Sequence, residues 1–243
     1  MAGRVLIGTS GWHYKHWLGV FYPPNFPTDQ MLKFFSRHFD TVELNNTFYH
    51  LPRPTSFDMW RDSTPSRFVF AAKGSRFITH MKKLKDPETA LAKFFYGPER
   101  LGKKLGPVLF QLPPRWKVDT ERLNEFLQSL PKEHKYVFEF RDKSWLRNEV
   151  YEQLRQFNAA LCIHDLGGKQ TPLEITANFS YVRFHGPGEA KYAGSYSSSS
   201  LKTWSKRVRD WRRELKEIYV YFNNDIGGHA VENAKELKEL VSS

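Results

Sequence analysis

The chain has 243 residues, long enough for one large domain or two small ones. Apolar residues make up 40% of it and aromatic residues 16%, which excludes a disordered chain and supplies a large core. With 37 basic and 26 acidic residues the formal net charge is +11, which favours a polyanionic partner but does not bear on the fold.

Short runs with the β-branched and aromatic composition of strands recur along the whole chain. In chain order they begin at Val5, Thr41, Phe68, Pro107, Tyr136, Ala160, Tyr181 and Tyr219. Most are followed by apolar residues at helical spacing, with start signals at Thr28, Asp119, Ser144 and about His229. The stretch GGKQTPLEITAN, after the sixth run, is the weakest helix candidate.

Strands that alternate with helices predict parallel pairing through right-handed crossovers. Eight such units in a chain of this length suit a closed (β/α)₈ barrel, whose usual size is roughly 250 residues. We therefore predict an α/β fold, a parallel eight-stranded TIM barrel that forms a single domain over residues 1–243. A doubly wound open sheet is the alternative.

Polar side chains stand at the end of every predicted strand, where TIM barrels have their active sites. In YVRFHGPGEA, for example, Arg183 and His185 are two residues apart, so both leave the strand on one face. The other candidates are Trp12, Tyr14, Glu43, Asn45, Tyr49, Lys73, Gln111, Glu139, Arg141, His164, Asn223, Asn224 and Asp225. The structural alternative is a network in which Glu139 pairs with Arg141 and the histidines satisfy buried carbonyl groups.

Longer segments at these strand ends carry a family resemblance. They are GTSGWHYKHWLGVFYP, VELNNTFYHLP, FAAKGSRFITH, LGPVLFQLPP, FEFRDKSW, RFHGPG and YFNNDIGGHAVENA. In this order they resemble the motifs of the YecE-like family, domain of unknown function 72. The resemblance spans almost the whole chain and implies a TIM-barrel fold, but it supplies no reaction because none is established for the family.

The loops after the seventh and eighth strands suit an anion. TIM barrels often bind phosphate with these two loops and a nearby helix N-terminus. Gly186, Gly227 and Gly228 would let backbone N–H groups approach a ligand, and a helix from about His229 would offer its positive end. The alternative is that these glycines only turn the chain.

Arg183 supplies the planar fork that matches phosphate or carboxylate oxygens, with Lys73 and Arg141 as supports. An arginine at this place without an anion needs a carboxylate instead. Asp225 or Glu139 is the expected competitor.

The predicted function is an enzyme that acts on an anionic, phosphate-bearing substrate, nucleotides and nucleic acids included. His185 or His164 would be the general acid/base because an imidazole titrates near neutral pH. Glu139 or Glu43 would be its carboxylate partner.

Two other chemistries stay open. No metal-binding motif is present, so we predict no cofactor; if a divalent metal binds, Glu43, Glu139, His164 and Asp225 are suitable ligand types. A glycosidase would need two carboxylates roughly 5 to 10 Å apart, for which Glu43 and Glu139 are the candidates.

Nucleic acid is the partner of the non-catalytic alternative, a binding module. Trp12, Tyr14 and Tyr49 would stack on bases, although Trp12 and Tyr14 would equally form an aromatic wall around a small anionic molecule. Lys82, Lys83 and Lys85 would meet phosphates.

A basic stripe on a predicted helix, formed by Lys202, Lys206, Arg209, Arg213 and Lys216, is interpreted as a solvated outer face. Cys162 is the single cysteine, which fits a reducing compartment. The first residues contain too short an apolar run for a signal peptide, and no later run is long enough to span a bilayer. We therefore expect a cytoplasmic protein with no membrane partner.

Overall fold

The computed structural model describes residues 2–188 and 192–242. Its strands are β1 (Arg4–Ser10), β2 (Thr41–Leu44), β3 (Val69–Lys73), β4 (Leu105–Gln111), β5 (Tyr136–Glu139), β6 (Ala160–Leu166), β7 (Lys169–Gln170), β8 (Phe179–Phe184) and β9 (Glu217–Phe222). Its α-helices are α1 (Met31–His38), α2 (Asn46–Tyr49), α3 (Pro54–Asp62), α4 (Glu88–Phe95), α5 (Thr120–Ser129), α6 (Asn148–Gln156), α7 (Ser198–Trp211) and α8 (His229–Ser242). Each predicted strand is present.

The strands form one sheet in the order β5-β4-β3-β2-β1-β9-β8-β6-β7, and a further pairing of β5 with β6 closes the ring. The closed ring is a parallel eight-stranded barrel, which confirms the predicted fold class and excludes the open sheet. The additional strand, β7, pairs antiparallel with β6 as a short hairpin. It occupies part of the weak helix candidate, where Gly167 and Gly168 adopt positive φ angles of 59° and 72° and turn the chain.

By their internal contacts the residues group into two compact units. Unit 1 holds β1, β7, β8 and β9 with helices α1, α7 and α8. Unit 2 holds β3, β4 and β5 with helices α2 to α6. The strands β2 and β6 contribute to both, with boundaries after Glu43 and after Cys162.

Unit 1 packs β1, β8 and β9 against α7 and α8. Its interior carries buried tyrosines as well as aliphatic residues, and Tyr221 lies 2.6 Å from the hydroxyl of Thr41. The backbones of β1 and β2 approach so closely that a Cβ at Gly8 would stand 2.1 Å from the carbonyl oxygen of Thr41. Only glycine fits this position.

Unit 2 packs the strands β3 to β5 against the helices that follow them. Its core is rich in phenylalanine: Phe110 contacts Phe126 of α5 edge to face, with ring centroids 5.0 Å apart. Edge-to-face aromatic pairs of this kind stabilise a core beyond the area that they bury.

Two predicted helix starts are confirmed and two are wrong. Asp119 caps α5, accepting the N–H of Arg122 at 3.0 Å, and α8 begins at His229. Thr28 begins a 3-10 turn that precedes α1 and makes no capping bond. Ser144 accepts the N–H of Val118 at 2.9 Å, and α6 begins four residues later, so this hydroxyl joins a loop to a turn. Among the described residues, the helices are too short or too polar to cross a lipid bilayer.

Candidate functional site

A buried carboxylate organises the strand ends of unit 1. Glu43, in β2, has no exposed surface and accepts hydrogen bonds from three side chains. Ser10 Oγ, its neighbour across the β1–β2 pairing, lies 2.7 Å from Oε1. Arg183 Nη2 lies 2.7 Å from the same oxygen, and the hydroxyl of Tyr181 lies 2.6 Å from Oε2. Both carboxylate oxygens are therefore bonded within unit 1.

Arg183 forms an ion pair with Glu43, a carboxylate that was not among the expected competitors. The face that β8 turns inward carries Tyr181 and Arg183, and both side chains reach the same carboxylate. Arg183 is only 1% exposed, so its guanidinium is withdrawn from solvent. The guanidinium therefore takes part in a buried ion pair, and its role as an anion fork stays a prediction.

Two histidines lie at the ends of β6 and β8. His185 is fully buried, and its Nδ1 lies 3.0 Å from the amide nitrogen of Asn223. Because an amide nitrogen can only donate, Nδ1 is the acceptor and the proton of the neutral ring is on Nε2. The ring of His164 stands at 73° to that of His185, with the centroids 5.9 Å apart. His164 is 7% exposed, and Thr171 holds its backbone through two hydrogen bonds of 2.9 and 3.0 Å.

The predicted aromatic wall is tied to the end of β1. Tyr14 donates from its hydroxyl to the carbonyl of Ser10 at 2.5 Å. Burial, with the nearby carboxylates of Asp225 and Glu43, raises the pKa of Tyr14 well above its usual value, so the phenol stays neutral and remains a donor. Trp12 is half-buried, and its carbonyl accepts the hydroxyl of Tyr22 at 2.5 Å.

Asp225 joins the end of β9 to the segment after β1. Its carbonyl accepts the indole N–H of Trp17 at 3.0 Å and lies 2.8 Å from His16 Nε2. Burial raises the pKa of the Asp225 carboxyl group, while His16, 3.6 Å away, opposes that shift. The charge on this carboxylate is therefore disfavoured relative to an exposed aspartate.

The glycines proposed as an anion cradle serve the backbone instead. Gly186 donates its N–H to the hydroxyl of Tyr196 at 3.1 Å, and Gly228 donates to the carbonyl of Asp225 at 3.1 Å. Gly186 has a φ of 99°, and a Cβ there would stand 2.3 Å from the carbonyl oxygen of Ala193. Gly227 also turns the chain, with a φ of 73°. The amides of Gly186 and Gly228 are thus engaged inside the protein.

Asn224 belongs to a buried network that the sequence did not indicate. Its amide nitrogen donates to the carbonyl of Gly194 at 2.9 Å and to Oδ1 of Asn233, on α8, at 3.0 Å. The same Oδ1 accepts the N–H of Tyr196 at 3.0 Å. Asn224 therefore anchors the segment before α7 to α8.

In unit 2 the structural alternative for Glu139 is observed. This fully buried carboxylate forms a close ion pair with Arg141, two residues along the chain. Cys162 is also fully buried, and its Sγ lies 3.9 Å from Glu139 Oε2.

The remaining predicted residues of unit 2 lie at the ends of β2 to β4. Lys73 is buried, with its Nζ 4.2 Å from the centroid of the Phe48 ring. Gln111 is half-buried at the end of β4, and Asn45 is half-buried just before α2. Tyr49, at the end of α2, is 73% exposed.

These contacts weaken two of the alternative chemistries. Glu43 and Glu139 are each paired with an arginine, so neither is placed to donate a proton to a glycosidic oxygen. Among the described residues, the one group of three or more potential ligands whose donor atoms lie within 4.8 Å of one another is Glu99, Glu133 and His134. The four residues proposed as metal ligands are not part of it.

The protein is therefore a closed (β/α)₈ barrel. Several of its strands end in buried polar side chains that are bonded to one another. Within this class, the chain belongs to the family described as "Protein of unknown function DUF72", whose sequence model matches residues 6–243. This confirms the family resemblance of the strand-end motifs.

Three relatives illustrate the similarity. UPF0759 protein YunF of Bacillus subtilis is 28% identical over 98% of this chain and 94% of its own length. UPF0759 protein YecE of Escherichia coli is 30% identical over 61% of this chain and 53% of its own length. The crystal structure of a DUF72 family protein from Thermotoga maritima shares 34% identity and superposes with a TM-score of 0.89, covering 99% of this chain and 100% of the other.

Proposed function

We propose that the protein is an enzyme that acts on an anionic, phosphate-bearing substrate at the strand ends of unit 1, with His164 and His185 as its acid/base pair. The observation that carries the proposal is the placement of two imidazoles 5.9 Å apart at neighbouring strand ends, one of them oriented by Asn223. Carboxyl ends of barrel strands are where TIM-barrel enzymes hold their catalytic groups.

The imidazoles suit the chemistry because an imidazole ring can both donate and accept a proton. The Asn223 amide fixes the tautomer of His185 and leaves the ring with a donor at Nε2. His164 is the more exposed of the two rings, so we assign contact with the substrate to His164. His185 is then the positioning partner behind it.

The surrounding charges are compatible with an anion. Glu43 is neutralised by Arg183, and the raised pKa of Asp225 reflects burial that disfavours its charge. Burial likewise raises the pKa of Asp165, the residue after His164. A bound phosphate would therefore meet less electrostatic repulsion from these three carboxyl groups than from three that were fully charged and unpaired.

The test measures binding of inorganic phosphate by calorimetry and turnover of p-nitrophenyl phosphate and bis(p-nitrophenyl) phosphate. Wild type, His164→Asn and His185→Asn are compared with His38→Asn, a control at the end of α1 in the same unit. We expect turnover to fall in both site variants, by about 10²-fold or more for His164→Asn, and to persist in the control. Absence of phosphate binding, or equal turnover in wild type and His164→Asn, would refute the proposal.

A further inference from the structure

The segment between β3 and α4 is the most basic loop of unit 2. We call residues 74–87 the basic loop; it carries Arg76, Lys82, Lys83 and Lys85, all exposed. Its one acidic residue, Asp86, lies 3.9 Å from Lys82. Within the part of the chain that the structure describes, Arg76, Lys83 and Lys85 form no ion pair.

An apolar cavity of about 750 Å³ opens beside the basic loop. Its apolar wall includes Leu51, Phe77, Ile78 and Ala90, and its cationic edge is formed by Lys82 and Lys93. Phe77 is 45% exposed although it is a large aromatic residue. Exposed aromatic surface beside unpaired cations is typical of a binding site rather than of a solvated face.

A second cavity, of about 210 Å³, lies beside Lys82. It is lined by Lys82, Lys83 and Lys85 of the basic loop together with Trp116, Asp119 and Arg122. Lys82 lines both cavities, so the two cavities adjoin at this side chain.

The basic loop has a defined local conformation. Its first half is a π-helical turn, Phe77–Met81, and Leu84 is buried and donates its N–H to the carbonyl of Ile78 at 2.9 Å. Lys83 and Leu84 have φ angles of 48° and 63°, which non-glycine residues rarely adopt. A loop already fixed in shape loses little entropy when a ligand binds.

The interior side of the loop is also positively charged. Burial, followed by the cations Lys73 and Arg76, lowers the pKa of His80 to about 4. The ring of His80 packs edge to face on Phe48, 5.1 Å between centroids, and Lys73 covers the same ring. Cations therefore outnumber carboxylates around the basic loop, where Asp86 and Asp119 are the acidic lining residues of the two cavities.

We propose that the basic loop and its two cavities bind single-stranded nucleic acid. Regularly spaced phosphates match the row of lysines, and unstacked bases match the exposed face of Phe77 and the side chain of Trp116. A duplex hides its base faces and offers only the phosphates, and an acidic peptide has no flat rings to stack. The proposal does not rest on the enzymatic function proposed for unit 1.

The experiment follows the fluorescence anisotropy of labelled oligothymidylate at several salt concentrations. The variant carries Lys82→Ala, Lys83→Ala and Lys85→Ala; the matched control carries Lys202→Ala, Lys206→Ala and Lys216→Ala, three exposed lysines of unit 1. We expect the first variant to lose about 10-fold or more in affinity and its salt slope to fall by about 2, because three phosphate contacts are removed. The control should retain wild-type affinity and slope.

A stacking variant separates base contacts from charge. Phe77→Ala should weaken binding by about 10-fold, whereas Phe77→Tyr should retain it because the ring remains. Circular dichroism verifies that each variant is folded. Equal losses in the two lysine variants, tighter binding of a duplex or an acidic peptide, or no binding at low salt would overturn the proposal. Phosphatase activity that survives in the loop variant would show that unit 1 acts separately.

Discussion

Charged side chains are buried and paired at the strand ends of unit 1, but they are exposed in the basic loop of unit 2. In unit 1, Arg183 and Glu43 are buried and bonded to each other, and the tyrosine and serine around them complete the bonds. In unit 2, Lys83 and Lys85 stand in solvent beside exposed aromatic surface. Charged residues that stand out in the sequence are therefore buried and paired in unit 1 but exposed to solvent in the basic loop of unit 2.

The largest effect is expected when the buried Arg183–Glu43 ion pair is broken. Arg183→Met leaves Glu43 buried without its cation, so we expect the free energy of unfolding to fall by about 3–5 kcal/mol in urea titrations. The exposed pair Arg213–Asp210, 3.5 Å apart, provides the control, and Arg213→Met should cost about 1 kcal/mol or less. Similar losses in the two variants would contradict this expectation.

A second prediction concerns the turn after β8. Gly186→Ala combines a positive φ with a Cβ 2.3 Å from the carbonyl oxygen of Ala193, and we expect it to destabilise the protein by about 3 kcal/mol. Gly168→Ala is the matched control, because it also has a positive φ, 72°, but meets no atom within 4 Å. It should cost about 1 kcal/mol, the conformational strain alone. Thermal unfolding of both variants measures the difference.

A third prediction concerns the pKa of His80, which burial and the neighbouring cations Lys73 and Arg76 lower. The pKa of His80 is lowered from 6.5 to about 4 in the folded state, so the unfolded chain binds a proton that the folded chain does not. Stability is therefore fully present above pH 6.5 and is lost as the pH falls from about 6.5 towards 4. His80→Gln should flatten this part of the stability profile, measured by urea unfolding at several pH values. A profile identical to wild type would contradict the lowered pKa.

The smallest expected effect comes from Asp119, which both caps α5 and lines the smaller cavity. Asp119→Asn keeps a good cap, so stability should change by only a few tenths of a kcal/mol. It removes a negative charge from the proposed nucleic-acid surface, so oligothymidylate affinity should rise about twofold. Glu121→Gln, in the first turn of α5, controls for the change in net charge. A fall in affinity in Asp119→Asn would count against this surface.

The fold was predictable because the barrel strands are largely buried and rich in apolar and aromatic residues. The hairpin strand β7 was not, since its two residues are exposed and have no apolar pattern. Ser144 resembled a helix cap, but a nearby backbone N–H competed successfully for its hydroxyl. Such competition depends on tertiary contacts that local sequence does not contain.

The site was predictable only as far as periodicity reaches. The period of two places Arg183 and His185 on one face of their strand. The same period places Tyr181, which also bonds to Glu43, on that face. The partner, Glu43, lies 140 residues away in the sequence, so identifying it requires the strand order. In unit 2 the lysines were visible as a charge run. The exposure of Phe77 was not, because it depends on the π-helical turn.

Photocross-linking tests whether polyanions contact the exposed cations of the basic loop in unit 2 and not the helix surface of unit 1. A 4-thiothymidine oligonucleotide is irradiated with the wild-type protein, and the attached peptides are identified by mass spectrometry. If the basic loop binds the oligonucleotide, we expect cross-links within residues 76–85 and at Trp116. Cross-links confined to residues 202–216, or spread evenly over exposed lysines, would contradict this expectation.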